Sequence, residues 1–95
     1  MIGGMSWVSS RSYYEHINEA VQQRVGTMAS ASLLIESLDF TQLSKLESDE
    51  DWARAAQILG DSARRLERAG AGAIIIAANS MHRVYDEVSK AVNVP

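Results

Sequence analysis

Apolar residues recur along this chain with two distinct spacings, and their alternation predicts its elements. Tyr14, Ile17, Val21 and Val25 are spaced 3, 4 and 4 apart, which puts them on one face of a helix near residues 9–25. Gly26 stands where that helix should stop, because glycine takes the left-handed cap conformation without a Cβ clash. A clearer stripe follows: Trp52, Ala55, Leu59, Ala63 and Leu66 step by 3, 4, 4 and 3 along a helix near 50–69, ended by Gly70. The acidic stretch Ser48-Asp49-Glu50-Asp51 lies at its start, where the helix dipole favours negative charge. Met81, Val84, Val88 and Ala91 mark a third helix, near 81–92.

Two short apolar runs separate these helices. Ala31 to Leu38 is too short for a buried helix and reads as a strand near 32–38. Ala73-Ile74-Ile75-Ile76-Ala77 is β-branched and unalternating, as a strand near 73–77 should be if both its faces are covered. Thr41 to Glu47 fits a short helical turn. Helices alternating with strands give parallel strands joined by crossovers, so the expected class is α/β, a partial doubly wound parallel sheet flanked by helices. Two strands are the expected centre. Met1 and Ile2 are only a stub before the glycine turn Gly3-Gly4, and Asn93-Val94-Pro95 has the look of a lead into a further strand. An isolated pair of strands is marginal, so the sequence reads as one piece of a larger sheet.

Composition narrows the function. Ninety-five residues make one small domain, and 46% hydrophobic with 22% charged residues is the balance of an ordinary globular protein. The formal charge of −3 and the mixing of nine basic with twelve acidic residues argue against nucleic-acid binding, which needs a concentrated basic face. No run approaches the ~20 apolar residues of a membrane span, and no leader pattern opens the chain, so a cytoplasmic protein without a membrane partner is expected. With zero cysteines the chain has no thiolate nucleophile and no thiolate metal site.

In a doubly wound sheet, ligands bind beyond the carboxyl ends of the strands. Three segments fall there: Gly3-Gly4-Met5-Ser6, Asp39-Phe40-Thr41 and Ala78-Asn79-Ser80-Met81-His82. In the last, Asn79 and Ser80 are placed either to hold a carboxylate at a helix start or to cap their own helix. His82 is placed to be an acid or base or to be merely structural; His16 belongs on an outer face. Trp7, Tyr13 and Tyr14 line a pocket or join the core. Arg64, Arg65 and Arg68, with Glu67, read as the solvated face of the long helix.

Taken together these segments resemble the aspartate/glutamate racemase family. Ile2-Gly3-Gly4-Met5-Ser6-Trp7, Tyr13-Tyr14 with Ile17-Asn18-Glu19, Ser37-Leu38-Asp39-Phe40, and Ala69-Gly70-Ala71 running to Asn79-Ser80-Met81-His82 appear in the family's order, from Ile2 to Pro95. The resemblance implies an isomerase of two similar α/β lobes facing across a cleft. It implies a homodimer that uses neither pyridoxal phosphate nor metal, hence no cofactor. Each lobe would supply one cysteine, one taking the α-proton and the other returning a proton to the opposite face. By the same resemblance this chain is the amino-terminal lobe over residues 1–95, and its ligand is an amino acid or dicarboxylate. Asn79 and Ser80 then correspond to the carboxylate-holding Asn-Thr, Met5 to the methionine beside the substrate, and Glu47 to a position where relatives carry Gln.

One departure is large. The family's Cys-Thr-Asn-Thr-Met-His here reads Ala77-Ala78-Asn79-Ser80-Met81-His82, so Ala77 occupies the cysteine position and no catalytic residue is assigned. The expectation is therefore a racemase-family chain, inactive as it stands. The alternatives are a non-catalytic carboxylate-binding or interaction module, or a fragment that needs a partner lobe. Association with itself or with such a lobe is expected, because missing strands leave apolar edges uncovered.

Overall fold

The computed structural model describes residues 1–95. Its regular elements are β1 (Ile2–Gly3), α1 (Trp7–Val25), β2 (Glu36–Ser37), α2 (Asp49–Arg68) and α3 (Tyr85–Ala91), with 3-10 turns at Phe40–Leu43 and Asn79–Val84. The class is α/β, as expected. α2 starts and ends within a residue of the predicted span, and Ala55, Leu59, Ala63 and Leu66 of its predicted stripe are buried. Ser48 and Asp51 form a reciprocal capping box, and Asp49, Glu50 and Asp51 all lie in the first turn. Here cap, dipole and apolar period agree on the same helix start.

The sheet differs from the expected pair of strands. β1 pairs in parallel with β2, Ile2 opposite Glu36 and Gly3 opposite Ser37. Its other side bridges in parallel to Ile76. The supposed stub is thus the centre, and the two predicted strands lie on either side of it. Backbone bonds fix this arrangement: Glu36 N–H donates to Met1 O at 3.0 Å and Leu38 N–H to Gly3 O at 2.8 Å. On the other side Ile2 N–H donates to Ile75 O at 2.8 Å and Ala77 N–H to Ile2 O at 2.9 Å. Ile2 is completely buried. Two or three residues carry no readable period, so only pairing on both sides reveals them as the middle strand. The flanking strands are also shorter than predicted, two regular residues at Glu36–Ser37 and a single bridge at Ile76.

Side chains alternate across a strand, and here the alternation separates two layers. Ile2 and Ile76 join a core cluster with Leu59, Ala63 and Leu66 of α2 and Val88 of α3. Gly3 instead meets α1: a Cβ built on it would come within 2.5 Å of Ser10 Oγ. Hence α1 lies on one face and α2 with α3 on the other. α1 buries none of its residues, and Trp7, Val8, Tyr14 and Val25 are exposed. Of its predicted stripe, Ile17 and Val21 are half-buried, while Tyr14 and Val25 stay exposed. The last helix is corrected too: it opens as a 3-10 turn over Asn79–Val84 and becomes α-helical only from Tyr85.

Arg65 of α2 lies on the solvated face predicted for it and there pairs with a carboxylate. Its guanidinium Nε donates to Glu36 Oε2 at 2.8 Å, tying the helix to β2, and Glu67 accepts from the Asn93 N–H at 2.7 Å. The Arg65 side chain holds the Glu36 carboxyl below its ordinary pKa of 4.5. A carboxyl depressed by folding stabilises above its unfolded pKa, and the benefit is lost as pH falls through the folded value. We expect parent stability to drop on acidification below pH 4.5 by more than that of Glu36→Gln. The difference should be about 0–1 kcal/mol, because both side chains are partly exposed. Urea melts at several pH values measure it; coincident pH dependences would refute the role of the pair.

Candidate functional site

Strand order β2, β1, 74–77 makes the connection from β1 leave toward one edge and the connection after Ala77 leave toward the other. That is a topological switch point, where an open parallel sheet leaves a crevice at its carboxyl ends. The loop 3–6 and the segment 78–82 flank it. Sequence spacing placed both segments at strand ends; the middle position of β1 makes them adjacent.

Ser10 and Leu38 hold the glycine loop in place. Gly4 N–H donates to Ser10 Oγ at 2.7 Å. Gly4 has φ +90°, and a Cβ on it would lie 2.1 Å from Leu38 O. Glycine is required here by the neighbouring backbone. Met5 is 3% exposed and shares the core cluster with Ala78 and Met81, so its side chain packs beneath the rim rather than standing open on it.

Asn79 and Ser80 are exposed at the opposite lip. The 3-10 turn they begin has Ala78 at its cap position and no side-chain cap bond, so neither residue is used as a cap. Asn79 Oδ1 accepts from the Tyr13 hydroxyl at 3.3 Å, which links α1 to this lip and leaves the Asn79 amide NH2 as a free donor. Ser80 makes no side-chain hydrogen bond. His82 Nε2 lies 3.0 Å from Ile76 O. A carbonyl only accepts, so the proton sits on Nε2 and the ring closes the base of the loop 77–81.

Ala77 and Ala78 are both buried, and neither carries a titratable group. Asp39, at the end of β2, accepts from the Thr41 hydroxyl at 2.7 Å and from the Thr41 N–H at 3.0 Å. Those bonds, the hydroxyl first, hold its carboxyl below the ordinary range and keep it ionised. Glu47 is exposed just ahead of α2; its backbone N–H donates to Asp51, and its side chain makes no bond that ties it to the rim. Arg83 stacks over Trp52 with 4.3 Å from guanidinium carbon to ring centroid, bringing a cation beside the 79–82 lip. Sequence reasoning missed Ser10 as the anchor of the glycine loop, although a serine one turn into a helix after Gly-Gly was a usable signal. It missed the Arg83–Trp52 pair as well, and their separation along the chain gives no local sign. No helix is long and apolar enough to cross a membrane. No three histidine, aspartate or glutamate side chains come together as a metal-ligand set.

An open parallel sheet with a switch point defines a class of α/β proteins whose ligand crevice lies beyond the carboxyl ends of the strands. Within that class the family is settled by sequence and shape together. The family described as Asp/Glu/Hydantoin racemase matches residues 2–95, and this chain belongs to it. The chain is similar to a crystallised Yersinia pestis protein assigned as an Asp/Glu racemase, at 40% identity and TM-score 0.92, covering 99% of this chain and 41% of that one. It is also similar to an aspartate racemase homologue from Pyrococcus horikoshii, at 36% identity and TM-score 0.88, again covering 99% and 41%. The chain therefore spans about two-fifths of the length of these structures.

Proposed function

We propose that this chain is the amino-terminal, carboxylate-holding half of a cytoplasmic, cofactor-independent amino-acid racemase cleft, and that alone it binds without turning over. One observation carries the reading: free polar donors at Asn79 and Ser80 stand at the switch point directly after two buried, chemically inert alanines. The Asn79 amide and Ser80 hydroxyl would donate to the α-carboxylate of an aspartate- or glutamate-like ligand, with Tyr13 orienting Asn79. Racemisation needs an acceptor on one face of the α-carbon and a donor on the other. Neither is supplied at Ala77 or Ala78. Titration of 15N-labelled protein with aspartate should shift the Asn79 and Ser80 backbone amides, with weak, millimolar affinity. Asn79→Ala should reduce the affinity several-fold. Shifts spread away from the 78–82 lip would contradict the site.

A second reading rests on a separate observation, the exposed apolar residues of α1. Trp7, at 63% exposed, and Val25, at 76%, are the kind of surface that a partner lobe or a second copy covers. Light scattering is expected to show association growing with concentration, and Val25→Lys should weaken it. A monomer throughout would remove this reading and leave the carboxylate site untouched.

A further inference from the structure

Burial over the 3-10 turn Asn79–Val84 repeats every third residue. Met81 and Val84 are buried, whereas Ser80 and Arg83 are exposed, as are Asn79 and His82. Side chains three apart eclipse in a 3-10 turn, so this turn has three distinct faces. Met81 and Val84 join the core cluster. Asn79 and His82 share a second face, bonded to Tyr13 and to Ile76 O. Ser80 and Arg83 share the third, and Arg83 ties that face to the start of α2 through Trp52.

Arg83 is held there without an anion. Its guanidinium carbon lies 4.3 Å from the Trp52 ring centroid, closer than Arg11 to Trp7 at 5.9 Å. The chain's two arginine–carboxylate pairs are Arg64–Asp61 and Arg65–Glu36, and Arg83 joins neither. Asp86 and Glu87 follow within one turn, yet neither forms an ion pair with it. A guanidinium over a ring face keeps its planar fork of N–H donors available to a carboxylate. The stack also orders the side chain in advance, so less freedom is lost when an anion arrives.

We propose that Arg83, held on Trp52, reads the side-chain carboxylate of the ligand and selects amino dicarboxylic acids over amino acids at large. The inference rests on the reading above, that the α-carboxylate is held at Asn79 and Ser80. Three residues of 3-10 rise separate Ser80 from Arg83 by about 6 Å along the turn. The carboxyl carbons of extended aspartate or glutamate, three or four C–C bonds of ~1.5 Å apart, span about 4–5 Å. That covers most of the rise, and a hydrogen bond at each end closes the rest. Asparagine and glutamine have the same shapes without the second charge. Trp52 is a positioning residue here, acting only through the guanidinium.

The test titrates the 15N-labelled 95-residue chain with aspartate, asparagine, glutamate and glutamine at constant pH and ionic strength. The two acids should bind more tightly than their amides by on the order of fivefold, the size of one exposed ion pair. Arg83→Gln should erase that preference by weakening the acids alone, and Arg83→Lys should retain part of it. Trp52→Leu should lower the acid-to-amide ratio while Trp52→Phe keeps it; a general loss of stability weakens all four ligands together and leaves the ratio unchanged. Asn79→Ala should weaken acids and amides alike, which separates the two carboxylate positions. Equal binding of acids and amides to the parent, with shifts at Asn79 and Ser80, would overturn the role of Arg83 and leave the α-carboxylate site standing. A preference that survives Arg83→Gln would overturn it as well. No shift with any of the four ligands would remove both readings.

Discussion

Incubated in D2O with either enantiomer of aspartate or glutamate, the purified chain should exchange no α-hydrogen above a heat-treated control. The measurement registers even one-sided proton removal, so it asks less of the protein than racemisation does. A positioned general base is worth ~10²–10⁴-fold in rate, and inversion needs two proton-transfer groups. Ala77 and Ala78 offer methyl groups, both buried. His82 is the titratable side chain on the 78–82 segment itself, but its Nε2 is turned to Ile76 O. Clear exchange that disappears in His82→Gln would identify the imidazole as base and overturn the inactive reading. Ala77→Cys is expected to recover one-sided exchange at most. Residue 77 is fully buried, and burial in apolar surroundings raises a thiol's pKa and suppresses the reactive thiolate. Enzyme-like racemisation of both enantiomers by the unaltered chain would refute the proposed function outright.

Gly4→Ala should be among the most damaging single-methyl changes in the molecule. The added Cβ would sit 2.1 Å from Leu38 O and 2.6 Å from Leu38 N, both backbone atoms of the neighbouring strand, at a φ of +90°. Neither partner can swing aside as a side-chain tip would. A positive φ costs a non-glycine residue about 1–3 kcal/mol, and overpacking adds about 1–3 kcal/mol. A domain this small has a total stability at the low end of about 5–15 kcal/mol. Each kcal/mol moves its melting temperature by roughly 4–8 °C, so a fall on the order of 10–50 °C is expected. Gly72→Ala is the control, since its Cβ meets nothing within 4 Å and its φ carries no penalty. If the two variants melt together, the loop 3–6 is not held as described. Because Gly4 also shapes one wall of the crevice, residual folded Gly4→Ala should bind aspartate more weakly than Gly72→Ala does.

Local information sufficed wherever one physical signal acted within a few residues. The α2 stripe, the acidic stretch at its start and the buried positions Met81, Val84 and Val88 could all be read along the chain, because helical period and dipole chemistry are local. The order of Gly-Gly-Met-Ser-Trp and Asn-Ser-Met-His was enough to suggest the family, since such motifs are written in single residues. Tertiary structure decided the rest. That two residues, Ile2–Gly3, are the central strand follows from bonds to segments more than thirty residues away on one side and more than seventy on the other, which no window along the chain contains. The same placement creates the switch point, turns Asn79 toward Tyr13 and pairs the exposed Arg65 with Glu36. The α1 stripe shows the limit from the other side. Its period is a property of the sequence, but burial belongs to whatever packs against it, and within these ninety-five residues that half-buries Ile17 and Val21 and leaves Tyr14 and Val25 exposed.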